Sequence, residues 1–401
     1  MAMNRRDFMH AGLAGTLVLA NAKLWAAPGD AKLLVVMLRG AYDGASLLVP
    51  YASDFYYRSR PSIAVPRPGS GDPNAAIALD SDWALNAAVK DSLLALYKNR
   101  QAVLIPFGGS EDLSRSHFQA QDLMELGQGG GGALDYSSGY LNRLAETLSG
   151  SGSQSAVSFT NNLTAVFKGA VPVPNISLRG NMKSNLPQRQ SEMIASLYEG
   201  TKLSGMATAG METKKLVSAE LMNEMAESSR GAGAARAFAV RARMIAKLMR
   251  DKPAYSIGFV DVGGWDTHVN QGSAQGVLAA NLSGLAEGLS AFAQEMGGLW
   301  RNTVVVVMSE FGRTFRENGN RGTDHGHGNA LWVLGGGISG GRIAGRQVAV
   351  SEANLFQNRD YQVLNDYRSV LAYLFARMYG LGGAGLERVL PGAKAESYGF
   401  I

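Results

Sequence analysis

Cysteine is absent from the 401 residues, which removes thiolate nucleophiles, disulfides, iron–sulfur clusters and Cys-ligated zinc. Histidine is scarce, at five residues, so metal or acid–base chemistry must draw on those five and on 33 carboxylates. Charged residues make up only 18% of the chain, and no Lys/Arg-rich run occurs. Setting aside Arg5, Arg6, Lys23 and Asp7 in the first 27 residues leaves 35 basic against 32 acidic side chains. A balance spread so thinly is no nucleic-acid footprint. After the N-terminal segment no run reaches the roughly 18 apolar residues that would suggest an internal membrane span. What is abundant is apolar content, 46%, and glycine, 50 residues. That composition excludes a disordered tail, a collagen-like fibre and a disulfide-stapled mini-protein, and it can bury a large α/β core.

The first 27 residues read as an address. Met3-Asn4-Arg5-Arg6-Asp7-Phe8-Met9 resembles the twin-arginine export signal, two arginines followed by any residue, Phe and an apolar residue. A short Gly/Ala-rich apolar stretch, Ala11 to Ala22, leads to Lys23 and the small-residue ending Leu24-Trp25-Ala26-Ala27, where cleavage fits. The expectation is a periplasmic, extracellular or cell-surface protein that meets the twin-arginine translocase during export. Residues 28–401 then form one domain.

Beyond the signal, apolar runs alternate with helical patterns. Strands are expected at Lys32–Leu38, Ala102–Phe107, Ala156–Thr160, Tyr255–Val262, Thr303–Met308 and Ala330–Leu334. Helices are expected at Trp83–Lys98, Ser116–Leu126, Gly139–Leu148, Asn281–Trp300 and Asp366–Tyr379. Continuous apolar strands suit a sheet buried on both faces. The alternation predicts an α/β, doubly wound, mostly parallel sheet with helices on both faces. The Ala-, Met-, Glu- and Lys-rich stretch from about 190 to 251 has no strand run and reads as a helical cap or insertion.

In open α/β sheets ligands bind beyond the carboxyl ends of the strands, and the scarce histidines fall there. Arg39-Gly40-Ala41-Tyr42-Asp43-Gly44 follows the first strand; Gly263-Gly264-Trp265-Asp266-Thr267-His268 follows Tyr255–Val262. Ser309-Glu310-Phe311-Gly312-Arg313-Thr314 follows Thr303–Met308, and Thr323-Asp324-His325-Gly326-His327-Gly328-Asn329 precedes Ala330–Leu334. Leu113-Ser114-Arg115-Ser116-His117-Phe118 opens a helix. His10 belongs to the signal; His117, His268, His325 and His327 all lie in these blocks. Imidazole with carboxylate and no thiolate suits a divalent ion such as Zn²⁺, Mn²⁺ or Fe²⁺. Glycine lets such loops fold tightly around an ion. The bland alternative is that the aspartates cap helices and the histidines bond to backbone.

Together these blocks resemble the bacterial domain-of-unknown-function family numbered 1501, over essentially the whole mature chain. Its members are typically exported by the twin-arginine route and are often encoded beside a second exported protein of unknown function, family 1800, which implies a partner in assembly or secretion. The family in turn resembles a distant branch of the alkaline phosphatase/sulfatase superfamily. On that resemblance Asp43 matches the metal-binding Asp that ends the first strand. Met308–Gly312 looks like a variant of the Thr/Ser-Asp-His/Asn-Gly strand end, and His327 matches the His that precedes an apolar strand. Asp366 opens the last helix and is more a cap than a ligand. Two departures stand out: Glu310 replaces Asp, and Phe311 replaces His or Asn. There is also no Cys to form the sulfatase formylglycine.

The resulting expectation is an exported metal-dependent hydrolase of phosphate or sulfate esters. Its divalent ion (Zn, Mn, Ca or Mg) would be held by residues drawn from Asp43, Asp266, His268, Glu310, Asp324, His325 and His327. Ser114 or Ser116 would be the nucleophile at a helix start, where backbone N–H groups favour an anion, or simply that helix's cap. His117 would move a proton. Arg39 and Arg313 would grip non-bridging oxygens or form ordinary salt bridges. The competing expectation is a non-catalytic exported scaffold that keeps the fold and the ion.

Overall fold

In a computed structural model the described residues are 30–130, 132–149, 155–178 and 234–401. The export-signal reading of residues 1–27 and most of the insertion expected at 190–251 lie outside them. The end of that insertion is a helix, Ala234–Asp251.

Eight strands form the central sheet: β1 (Lys32–Leu38), β2 (Ala102–Gly109), β3 (Ser155–Ser158), β4 (Tyr255–Val262), β5 (Thr303–Ser309), β6 (Asn329–Gly335), β7 (Arg342–Ile343) and β8 (Asn365–Asp366). Their order is β7-β2-β6-β5-β1-β4-β3, with β8 also beside β2. Pairing is parallel throughout except at β6, which runs antiparallel to both β5 and β2. The sheet is thus mostly parallel, as expected for an α/β protein.

Why both faces are buried is visible in β1. Leu34, Val36 and Leu38 join one hydrophobic cluster, while Leu33, Val35 and Met37 join another, the period-2 alternation of a strand. The longer helices among the described residues are α1 (His117–Leu126), α2 (Tyr140–Leu148), α3 (Ala234–Asp251), α4 (Val277–Met296) and α5 (Tyr367–Tyr379). α3 and α4 cover the first cluster; α2 and α5 cover the second. Asp366 caps α5, accepting from the Arg368 N–H at 2.8 Å.

The helix expected over Trp83–Lys98 is broken in three. Ala84–Leu85 is a strand in a small antiparallel sheet with Leu48–Val49 and Ile77–Ala78. Asn86 then accepts from the Ala88 N–H at 2.9 Å and starts a short 3₁₀ turn. Only Leu93–Lys98 is α-helical. Asn is a capping residue that competes with helix continuation, and cross-strand pairing of Leu85 with Leu48 overrides the apolar periodicity.

The register decides where loops emerge. Leu38 lies opposite Val262 on one side and Ser309 on the other, so β1, β4 and β5 end flush. Because β6 is reversed, its first residue Asn329 lies at the same edge, opposite Gly108 of β2. A bulge between Ile105 and Gly108, with Phe107 at φ +53°, turns β2 toward that edge as bulges do. The ends of these five strands therefore lie along one edge. Among the described residues no helix is long and apolar enough to cross a membrane.

Candidate metal centre

Each loop is held in place by backbone before any side chain is considered. The segments after β5 and before β6 pair with each other: Gly326 N–H donates to the Gly312 carbonyl at 2.8 Å, Gly312 N–H to His327 at 2.8 Å, and Thr314 N–H to Asp324 at 2.9 Å. Gly312 is required here, since a Cβ would run into the Gly328 carbonyl oxygen. At Gly40, φ is +117° and a Cβ would stand 2.8 Å from the Asp266 nitrogen, so glycine lets the β1 loop lie against the β4 loop.

On this frame His117, Asp266 and His325 form a group that could hold a metal ion, with ligand atoms all within 4.8 Å of one another. His117 Nε2 is 2.9 Å from His325 Nε2 and 3.6 Å from Asp266 Oδ2. His268 joins them: its Nε2 is 3.1 Å from His325 Nε2 and 3.0 Å from Asp266 Oδ1. Asp266 Oδ1 also lies 3.3 Å from His325 Nε2.

The opposite nitrogen of every ring faces an acceptor. His117 Nδ1 lies 2.7 Å from Glu310 Oε1, His268 Nδ1 3.0 Å from Asp324 Oδ1, and His325 Nδ1 3.0 Å from the Arg115 carbonyl. Such partners fix the tautomer with the proton on Nδ1 and direct the Nε2 lone pair inward. His325 Nε2 then has one lone pair and three close neighbours. A proton on His117 Nε2 would satisfy one of those contacts, whereas a cation satisfies all of them. Tetrahedral ligands at about 2.0–2.1 Å from an ion stand about 3.3 Å apart, within the spread seen here. The donor set fits a divalent ion.

Electrostatics agree with an assembled anionic and imidazole site. Burial would raise the Asp266 carboxyl, but the hydrogen bond and charge of Arg313 hold it below the usual range; the Arg313 guanidinium donates to Oδ1 at 2.6 Å. Glu310 is likewise lowered against its burial by hydrogen bonds from His117, Gln121 and the Gly40 N–H. The Glu310 bond raises His117, whereas burial and then the charge of His117 lower His325. Asp324 is lowered first by Asn318 and also by His268. Phe311 stacks on His117 with centroids 4.9 Å apart and forms an apolar floor.

The structure sorts the other expected residues. Glu310 supports His117 from behind rather than facing the cluster, and Asp324 does the same for His268. Asp43 is buried away from it: both its oxygens bond Arg60, and Oδ2 also accepts from Ser46 at 2.8 Å and Gln271 at 2.7 Å. His327 turns its ring onto Phe356, and burial pushes its pKa down to about 4. Arg39 is committed to Asp261, Gln121 and Glu125 at 2.6–2.8 Å. Arg313 is buried on Thr323 and Asp266. Ser114 is exposed, its hydroxyl 2.5 Å from Asp112. Ser116 is exposed and occupies the N-cap position of α1 without a side-chain cap bond.

Gln271 and Arg60 lie outside the sequence motifs, while Gln121 and Arg115, inside or beside the block that opens α1, carried no expected role. Gln121 donates to Glu310 at 2.8 Å and lies four residues after His117. That i, i+4 spacing places both on one helix face and was a usable signal. Gln271 joins Asp43 to Thr267 and Thr323 at 2.7–2.9 Å, contacts with no local signature.

The molecule is an α/β protein with a His/Asp cluster at the edge where its strands end. Over residues 30–390 it matches the family described as protein of unknown function (DUF1501), and it belongs to that family. No curated protein matches the chain.

Proposed function

We propose that this chain is an exported metal-dependent hydrolase of phosphate or sulfate esters, built on an alkaline-phosphatase-like sheet. The observation that carries the metal half of the reading is the inward convergence of three imidazole Nε2 atoms on Asp266, each Nδ1 tied to an acceptor. The hydrolase half rests on the motif resemblance and on the position of the cluster at the strand-end edge, where α/β folds bind ligands. A divalent ion supplies Lewis acidity toward a phosphoryl or sulfuryl oxygen. His117, His268, His325 and Asp266 would hold it. Glu310 and Asp324 fix two of those rings, and Arg313 keeps the Asp266 carboxylate ionised. With Asp43 engaged by Arg60, one ion rather than two is the stoichiometry this arrangement favours. Water is the nucleophile we favour, since Ser114 is bonded to Asp112 and Ser116 makes no bond to a base. The Met3–Met9 motif supports export through the twin-arginine route to the periplasm or cell surface.

Elemental analysis of exported protein, followed by hydrolysis of an aryl phosphate and an aryl sulfate with and without Zn²⁺ or Mn²⁺, tests the reading. Stoichiometric metal and metal-dependent turnover, lost in His325→Ala, are expected. Metal without turnover of either ester would overturn the hydrolase and leave the second reading, an exported scaffold that works in assembly or secretion with a partner such as a family-1800 protein. That second reading is favoured by one observation: neither Ser114 nor Ser116 bonds a cluster histidine.

A further inference from the structure

We infer that Asp360, acting through Arg115 and Arg359, is the positioning residue that holds His325 in its metal-binding orientation; this rests on the metal reading above. Asp360 is fully buried and lies outside every motif block. Its Oδ2 accepts from the Arg115 guanidinium at 2.7 Å and from Arg359 at 3.1 Å. Both arginines reach His325 by a second route. The Arg115 carbonyl accepts from His325 Nδ1 at 3.0 Å, and the other end of the Arg359 guanidinium donates to the His325 carbonyl at 2.7 Å. One carboxylate thus fixes the ring and the backbone of the same ligand.

The arrangement is costly to the fold, which argues that it serves the site. Arg115 sits at φ +51°, a left-handed conformation that bulky residues avoid. Two further residues of the neighbouring turn, Gln357 and Asn358, have φ +52° and +51°. Among the described residues Asp360 Oδ1 and Arg115 Nε are buried without a hydrogen-bond partner, a cost that calls for an explanation in a native structure. Burial raises the Asp360 carboxyl against the pull of both guanidiniums. Strain and unsatisfied groups gather at sites whose geometry is over-determined by their surroundings. The backbone of Asp360 is itself pinned, since Phe315 N–H donates to the Arg359 carbonyl at 3.0 Å and Asp360 N–H to Phe356 at 3.1 Å. The guanidinium of Arg115 therefore anchors to a fixed point and sets the direction of its own carbonyl. Lys at 115 would keep the charge and lose the planar fork.

The test is a Zn²⁺ titration of the full chain against a chromophoric chelator, with the visible bands of the Co²⁺-loaded protein as a second readout. Asp360→Asn is expected to weaken Zn²⁺ binding about 10–100-fold, the usual effect of removing support behind a ligand, and to shift the Co²⁺ bands. Arg115→Lys is expected to weaken it in the same direction and serves if Asp360→Asn does not fold. Variants that melt earlier yet bind Zn²⁺ within about twofold of wild type, with unchanged Co²⁺ bands, would overturn the inference. A wild-type chain that takes up neither ion would overturn it together with the metal reading, so the two failures are distinct.

Discussion

His325 Nε2 stands 2.9 Å from His117 Nε2 and 3.1 Å from His268 Nε2, although each ring already directs its other nitrogen at an acceptor. Three lone pairs aimed at one another repel unless a cation or protons separate them, so the cluster is most stable when loaded.

Chelation is therefore expected to lower the melting temperature. An ion at about 100 times its dissociation constant contributes about 2.7 kcal/mol, and calorimetry with and without EDTA measures it. His325→Ala should abolish that difference together with the bound metal. His327→Phe should leave metal content at the wild-type level, because the His327 ring packs on Phe356. Loss of metal in His327→Phe would contradict the ligand set assigned here.

Asp43 and Arg60 give a prediction about acid stability. Both are buried, and removing one member of such a pair costs about 3–5 kcal/mol. Arg60→Met should show that loss at pH 7 in urea unfolding. The acid dependence should also weaken. In the wild type burial raises the Asp43 carboxyl, but Arg60 more than reverses this and holds it below its usual value. That contribution is present above the unfolded pKa and is lost as pH falls through the folded one. Without Arg60 burial is opposed only by the Ser46 and Gln271 hydrogen bonds, so the folded pKa rises toward or past the unfolded one and less stability is lost as pH falls. The gap between wild type and Arg60→Met should narrow as pH drops toward about 4. A constant gap would count against the assignment.

Asp43 also shows where sequence reading stops. The bounds of β1 and β4 coincide with the runs expected from the sequence, because a strand buried on both faces reads as a near-continuous apolar run whose ends stand out. The edge at which Asp266, His268 and His325 meet follows from those strand ends. Which way Asp43 points does not, since Arg60 lies 17 residues downstream and nothing local pairs them. Asp360, 245 residues from Arg115, is equally invisible. His325 and His327 stand two residues apart, so regular period-2 geometry would put both rings on one face; the irregular, glycine-flanked loop instead sends His325 into the cluster and His327 onto Phe356, which the residues alone do not say. The reversal of β6 was equally hidden, because an apolar run reads the same in either direction.

Gly312 links backbone packing to the site. An alanine Cβ would meet the Gly328 carbonyl, forcing apart the paired loops that carry Glu310 and His325. Overpacking of this kind costs about 1–3 kcal/mol, and Gly312→Ala should also weaken Zn²⁺ binding. Gly298→Ala is the control, since a Cβ there has nothing within 4 Å. Thermal melts and metal titrations of the two variants should diverge; equal behaviour would detach the loop ladder from the centre.

The serines before α1 separate two kinds of hydrolysis. If Ser114 or Ser116 attacked the ester, alanine at that position should remove nearly all turnover. Ser114 Oγ is instead held by Asp112 at 2.5 Å, and Ser116 does not cap α1 with its side chain. A water nucleophile needs neither hydroxyl. Ser114→Ala, Ser116→Ala and the double variant should retain metal-dependent ester hydrolysis within about threefold, a loss under about 1 kcal/mol of transition-state stabilisation. Asp266→Asn, which withdraws a carboxylate from the cluster and leaves Arg313 without its ion-pair partner, should lose on the order of a hundredfold. Rapid-quench kinetics add a readout independent of steady-state rate. A serine attack passes through a covalent phospho- or sulfo-enzyme that gives a burst of product, and none is expected. A burst that disappears in one serine variant would reassign the nucleophile to that residue.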